Sequence, residues 1–429
     1  MSGMIETDLL VHSAAQLLTL AGGPQRGSAL GTLGIIRSGA VAIRNGKVVE
    51  VGPSEKLRKR FRAKDEIDAR GRIVLPGFVD AHTHLIWAGA RVAEFEMRVA
   101  GANYMEIMEA GGGILATVRE TRVASVDELV AQALPRLRSA LAHGTTSMEV
   151  KTGYGLETAA ELRSLAGILQ LDAAQPIDLT PTFLGAHAFP PEYSDDHDGY
   201  TELVCAEMLP AVRDWWAANA DERRLPFVDV FCETGVFTPA QSRRILERAQ
   251  ALGFPLKIHA DEFDGLGGTG IAVELGATSA DHLVHTPPED IAALGRSETV
   301  AVALPCSPFG LAEAEYTPAR AILEADGILA LATDMNPGPA WCESMQFVLA
   351  LGCRYLRLTP AQAIAAATIN AAAAIGRAGQ VGSLEAGKQA DLVLLGASDY
   401  RHLGYRFGGN LVEVVIKAGD VVLRNTALT

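Results

Sequence analysis

Short apolar runs alternate with amphipathic ones through the middle of the chain, while both ends carry only short alternating runs separated by turn residues. The central apolar runs fall at residues 78–84, 145–150, 177–184, 228–232, 256–258, 278–282, 299–304 and 329–333. Runs of this length and composition predict strands. Helical intervals such as 126–141, 239–252 and 318–325 separate them. Strand and helix in alternation predict a parallel sheet with helical crossovers. Eight such units close into an α/β fold, a (β/α)₈ TIM-like barrel, whose chemistry sits at the C-terminal strand ends.

The ends of the chain predict a second body. Residues 41–51 form two alternating runs around Asn45-Gly46, a pair that accepts the positive φ angles of a type I′ hairpin turn. Residues 391–395 and 412–423 supply a strand and a second hairpin. A lone hairpin is marginally stable, so the two termini are expected to complete one small β-sandwich together. The expected division is 1–74 and 380–429 for the composite β-domain and 75–379 for the barrel. Thr359-Pro360 marks the start of a last helix, with a capping residue followed by proline in the first turn.

Composition narrows the partners. The 429 residues are 48% hydrophobic and 21% charged, which is ordinary globular composition. A net charge of −14 argues against nucleic acid, whose binding rests on clustered lysine and arginine. The one basic run, Lys56-Leu57-Arg58-Lys59-Arg60, is short and reads as a solvated helix face. Five scattered cysteines with no Cys-x-x-Cys pair predict a reducing compartment. No basic leader and no apolar run of membrane-spanning length appear, so the expectation is a soluble, cytoplasmic protein without a membrane partner.

The strand ends carry the candidate chemistry. The first run ends in His82-Thr83-His84, where residues two apart share a face and both imidazoles can aim at one point. The others end in Lys151-Thr152-Gly153-Tyr154, Gly185-Ala186-His187, His259-Ala260-Asp261-Glu262, Asp281-His282 and Thr333-Asp334-Met335-Asn336. Gathered at a barrel mouth, His82, His84, His259 and Asp334 make an N/O site suited to zinc or iron, with a position open for water. Glu262 reaches the mouth only if the backbone bends after His259. His285 reads as a capping or core residue, and His12, His143, His197 and His402 carry no role.

Two glycine runs are decoys. Gly265-Leu266-Gly267-Gly268-Thr269-Gly270 fits G-x-G-x-x-G, but the acidic Asp261-Glu262 before it would repel a pyrophosphate. Gly111-Gly112-Gly113 lacks the Lys-Ser/Thr of a phosphate loop and reads as a flexible lid.

With these residues in place the chain resembles the amidohydrolase superfamily and, within it, the imidazolonepropionase family, over nearly its whole length. His-Thr-His, His-x-x-Glu, Asp-His and Thr-Asp carry the broad likeness. The narrower one rests on Glu94-Phe95-Glu96-Met97-Arg98, Tyr104-Met105-Glu106-Ile107, Ala110-Gly111-Gly112-Gly113-Ile114, residues 149–156, Phe183-Leu184-Gly185-Ala186-His187, Ser279-Ala280-Asp281-His282-Leu283 and Asp334-Met335-Asn336-Pro337-Gly338. The resemblance implies a hydrolase of histidine degradation that opens the ring of 4-imidazolone-5-propanoate to N-formimidoyl-L-glutamate. It implies one divalent metal per chain, zinc or iron, on His82, His84, His259 and Asp334, and a homodimer.

The same resemblance implies substrate contacts from Arg91, Tyr154, His187, Glu262, Asn336 and Gly338, and catalytic roles for Glu262, His282 and Asp334. Arg91 would hold the propionate, since arginine matches a carboxylate in shape and charge; its alternative is an ion pair with Glu94. Tyr154 could equally be a packed aromatic. The chain departs from the family at Cys306-Ser307-Pro308, where glycine and a hydroxyl residue are usual, and at Pro339, where serine or threonine is common. Three rivals remain: deamination of another nitrogen heterocycle, a binuclear site bridged by Cys232 or Glu233, and a non-catalytic scaffold, against which all four ligands are present.

Overall fold

The computed structural model describes residues 4–101 and 112–425. Eight parallel strands form the centre: Phe78–Asp80, Thr145–Lys151, Asp178–Ala186, Phe227–Cys232, Lys257–Ala260, Ser279–His282, Val300–Ala303 and Ile328–Leu331. They follow one another in the sheet in chain order. The first strand is shorter than its apolar pattern, ending at Asp80 rather than His84. Beyond it the chain pairs irregularly with the eighth unit: Asp334 N–H donates to His82 O (3.0 Å) and His84 N–H to Met335 O (2.8 Å). The Asp80 carboxylate adds bonds from Thr333 N–H (3.0 Å) and Oγ1 (2.6 Å), which brings the sheet nearly to closure. On the other side of the first strand Gly77 is required against the second, because a Cβ there would lie 2.2 Å from Thr146 Oγ1.

Three of the helices start on side-chain capping boxes. Val126–Ala142 begins with a capping box of Ser125 and Glu128, Pro239–Ala251 with one of Thr238 and Gln241, and Pro360–Ala366 with one of Thr359 and Gln362. The Gly265–Gly270 run leads into the helix Gly268–Leu275, and its glycines serve packing: a Cβ on Gly268 would fall 2.8 Å from Ala260 Cβ.

The termini build two sheets. Ile5–Ala14, Gly39–Arg44, Lys47–Pro53 and Phe61–Asp68 form one. The other joins Gln16–Leu18, Ile35–Ile36 and Ile73–Pro76 to Leu392–Leu395, Val412–Lys417 and Asp420–Arg424. Leu9, Val11, Val41 and Ile43 from the first pack with Val74, Leu392, Val414 and Ile416 from the second, so the sandwich core needs both chain ends. Both hairpin turns carry two consecutive positive φ angles, 51° and 72° at Asn45-Gly46 and 48° and 86° at Ala418-Gly419. Of the glycine run expected to form a lid, Gly111 lies outside the described residues, as does Tyr104-Met105-Glu106-Ile107. Gly113 is described, and its N–H donates to the Glu94 carboxylate at 2.8 Å.

Candidate metal centre and active site

His82, His84, His259 and Asp334 come from three barrel units and meet inside the mouth, all buried. Asp334 Oδ1 lies 3.4 Å from His82 Nε2 and 3.5 Å from His84 Nε2. His84 Nε2 and His259 Nε2 are 3.3 Å apart. Donor atoms about 2.1 Å from a tetrahedral ion stand roughly 3.4 Å from one another, so these spacings fit a single divalent metal. His82 Nε2 and Asp334 Oδ1 are buried without a hydrogen-bond partner, which is costly unless something cationic lies between them.

Behind one of the candidate ligands a carboxylate sets the tautomer. His82 Nδ1 is 2.6 Å from Asp281 Oδ2, which can only accept, so Nδ1 carries the hydrogen and Nε2 offers a lone pair. His259 Nδ1 lies 3.0 Å from Asp229 Oδ2, off the line of a straight hydrogen bond. Asp334 Oδ2 accepts from Ser307 Oγ and, at 3.1 Å, from Asn336 Nδ2, leaving Oδ1 free. Burial holds the imidazoles of His82 and His84 well below the ordinary histidine range, and the surrounding basic groups push the same way. Both stay neutral, as a metal ligand must. Burial also raises the Asp334 carboxyl to about 6.

Around this cluster stand the other expected residues. Glu262 Oε1 is 3.3 Å from His282 Nδ1. The bend that brings Glu262 in is Asp261, at φ 55°, whose own carboxylate turns outward to Leu266 N–H and Thr269 Oγ1. Burial first, then Asp334, Glu233 and Glu313, hold the Glu262 carboxyl well above the usual range. His187 stacks on His84 with ring centroids 4.8 Å apart and has Nδ1 on Gly153 O at 2.9 Å, leaving Nε2 free. Burial lowers its imidazole to about 3. Tyr154 is buried with its ring 5.3 Å from that of His187 and 5.9 Å from that of His84, and its phenol is held above the ordinary range by burial.

Arg91 makes the ion pair that was the alternative to its expected substrate contact, with one nitrogen left over from it. Nε and Nη2 donate to Glu94 at 2.7 and 2.5 Å, which is the ion pair. Nη1 faces the turn that follows Asp334: a Cβ on Gly338 would sit 2.8 Å from it. Asn336 shapes that turn, with Nδ2 on Asp334 O (2.8 Å) and Oδ1 accepting from Gly338 N–H (2.8 Å). The bridging candidates of the binuclear rival are engaged elsewhere. Glu233 accepts the N–H groups of Thr234, Glu262 and Phe263 at 2.8, 3.0 and 2.9 Å, and Cys232 packs beneath Gly268. His285 pairs with Glu315 at 3.3 Å, away from the ligand cluster.

Three groups that support the site carried no role in the sequence: Ser307 on Asp334, and Asp229 and Asp281 on the histidines. Asp281 was visible at a strand end. Asp229 was not, because it sits inside an apolar run with no signal of its own.

The Amidohydrolase family profile matches residues 73–422, and that of the imidazolonepropionase-like composite domain of bacteria matches 39–63. Among curated relatives, the imidazolonepropionase of Chloroflexus aggregans is 57% identical over 97% of this chain and 99% of its own length. That of Geobacillus kaustophilus is 46% identical over 97% and 98%. Solved structures of similar fold include a zinc-bound adenosine deaminase from Xanthomonas campestris, with TM-score 0.72 and 21% identity over 98% of this chain and 94% of that one. Guanine deaminase of E. coli follows at TM-score 0.70 and 16% identity over 97% and 99%. The last two likenesses concern the fold, whereas the profile and the full-length relatives concern descent: the chain belongs to the amidohydrolase family and, within it, to the imidazolonepropionases.

Proposed function

We propose that this chain hydrolyses 4-imidazolone-5-propanoate to N-formimidoyl-L-glutamate, with one divalent metal, zinc or iron, held by His82, His84, His259 and Asp334. The observation that supports it best is the convergence of these donors at spacings near 3.4 Å, in a chain 57% identical to an imidazolonepropionase along its full length. When bound there, a divalent cation supplies a water acidic enough to ionise near neutral pH and polarises a carbonyl.

The protein side chains do the rest. Asp334, steadied by Ser307 and Asn336, and His282, paired with Glu262, orient the attacking water and take its proton. Oxygen adds to the ring carbonyl carbon, the C–N bond opens, and the departing nitrogen takes a proton from Glu262. Burial among other carboxylates suits Glu262 to this task, since it keeps its proton at a pH where an exposed glutamate has lost it. Arg91 Nη1 binds the propionate, with the guanidinium plane fixed by Glu94. A global charge of −14 repels an anionic substrate, so a local cation is needed. Tyr154 and His187 wall the ring on the side of His84.

The test is turnover of freshly prepared 4-imidazolone-5-propanoate by protein of measured metal content, with ammonia assayed in parallel. Substrate loss without ammonia is the expected result. Stoichiometric ammonia, or no turnover by metal-loaded protein, would remove the assignment in favour of a deaminase or another substrate.

A further inference from the structure

Lys151 ends the second barrel strand, yet its side chain does not face the mouth. The ammonium is wholly buried inside the barrel, beneath the metal ligands. Nζ lies 2.7 Å from Glu149 Oε1, 2.8 Å from Asp229 Oδ2 and 3.7 Å from Asp281 Oδ2. Each of these carboxylates has a second commitment. Asp281 holds His82 Nδ1 at 2.6 Å, and Asp229 faces His259 Nδ1 at 3.0 Å. Glu149 Oε2 accepts the backbone N–H of Thr83 at 3.2 Å, between the two histidines of the first unit.

Three carboxylates, all fully buried, would repel one another if no cation lay among them. A carboxylate that swings away no longer fixes its imidazole, and the ring is then free to rotate. The geometry points to Lys151 as the positioning residue of the metal centre: one ammonium tethers Asp229, which faces His259, and Glu149, which anchors the backbone between His82 and His84, and it stands 3.7 Å from Asp281, the partner of His82. This rests on the metal reading given above. Lys257 offers an internal comparison. It is equally buried, but the one carboxylate it reaches among the described residues is Asp281, at 3.6 Å, and its hydrogen bonds go to the carbonyls of Ala81 and Ala374.

The experiment compares full-length wild type, Lys151→Met and Lys257→Met after metal removal. Each is titrated with Zn²⁺ against a chromophoric chelator and with Co²⁺ by visible absorption, and circular dichroism reports the fold. Lys151→Met is expected to lose at least tenfold in Zn²⁺ affinity and to show an altered Co²⁺ spectrum, in the range that groups behind metal ligands command. Lys257→Met is expected to stay within about threefold of wild type. If Lys151→Met does not fold, Lys151→Met/Glu149→Gln takes its place, since it removes a buried anion together with the cation and leaves Asp229 without its ammonium. Wild-type affinity and spectrum in a folded Lys151 variant would overturn the inference, as would an equal loss in Lys257→Met. A wild type that binds no stoichiometric Zn²⁺ removes the metal reading itself and this inference with it, a result distinct from equality between wild type and variant.

Discussion

Four residues at the strand ends stand in the left-handed region without being glycine: Asp261 at φ 55°, His282 at 81°, Leu283 at 62° and Asp334 at 55°. Such backbone is held at a cost of about 1–3 kcal/mol each and persists where the surroundings over-determine it. Here it turns the chain sharply out of its strand, so that Glu262, His282 and Asp334 point into one small volume. Glu262 and Arg91 are the residues whose substitution separates binding from chemistry. Arg91→Met should raise KM by about 10- to 100-fold, the worth of a charge-assisted contact, with kcat within a few-fold of wild type. An unchanged KM would mean that the pairing with Glu94 is all that Arg91 does. Glu262→Gln should lower kcat by about 10²- to 10⁴-fold. If Glu262 gives up a proton in the reaction, wild-type kcat/KM must fall as pH rises past its elevated pKa, and the pH profile of Glu262→Gln must lack that basic limb. A limb retained in the variant would place the general acid elsewhere.

At the scale of elements, the seam between the first and eighth strands is the weak point, because the two share no regular pairing and a few irregular backbone bonds and the Asp80 carboxylate finish the closure. Asp80 holds Thr333 through both carboxylate oxygens, and burial raises its carboxyl from 3.8 to about 7. The folded chain therefore keeps this proton when the unfolded chain has already lost it. On this account stability is greatest below about pH 4 and declines as pH climbs to about 7, by up to about 1.4 kcal/mol per pH unit. Asp80→Asn keeps an acceptor for Thr333 N–H and cannot titrate. Urea midpoints at pH 4.5 and 7 should fall more in wild type than in the variant, and parallel profiles would show that Asp80 does not titrate in this window.

Across the whole molecule, one ion would link units far apart in sequence, from His82 to Asp334. A ligand that binds only the folded chain adds RT ln(1 + [L]/Kd), about 2.7 kcal/mol at a free concentration 100 times Kd. Chelation should accordingly lower the Tm of wild type by several degrees and added Zn²⁺ restore it. His259→Ala should fold yet show no such response and no turnover, and a full metal-dependent shift in that variant would take His259 out of the ligand set. The two ends of the chain are bound together without an ion, since Leu392, Val414 and Ile416 complete the core that Leu9, Val41 and Ile43 begin.

Periodicity and turn chemistry, both local properties, were enough to predict the eight strands, the capped helix start at Thr359-Pro360 and both hairpins. The His82 and His84 pair was legible for the same reason, since a two-residue spacing determines a shared side without knowledge of the partner. Groups whose role depends on what lies across the barrel were decided by the tertiary structure alone. Nothing in the run around Asp229 announces that it faces His259, and Lys151 looked like a mouth residue until the closed sheet buried it among Glu149, Asp229 and Asp281. Arg91 is the intermediate case: Glu94 three residues on was visible as its partner, but the nearness of its free nitrogen to Gly338 comes only from joining the first unit to the eighth. Alternation along a chain specifies which side a residue takes, and long-range packing specifies what it meets there.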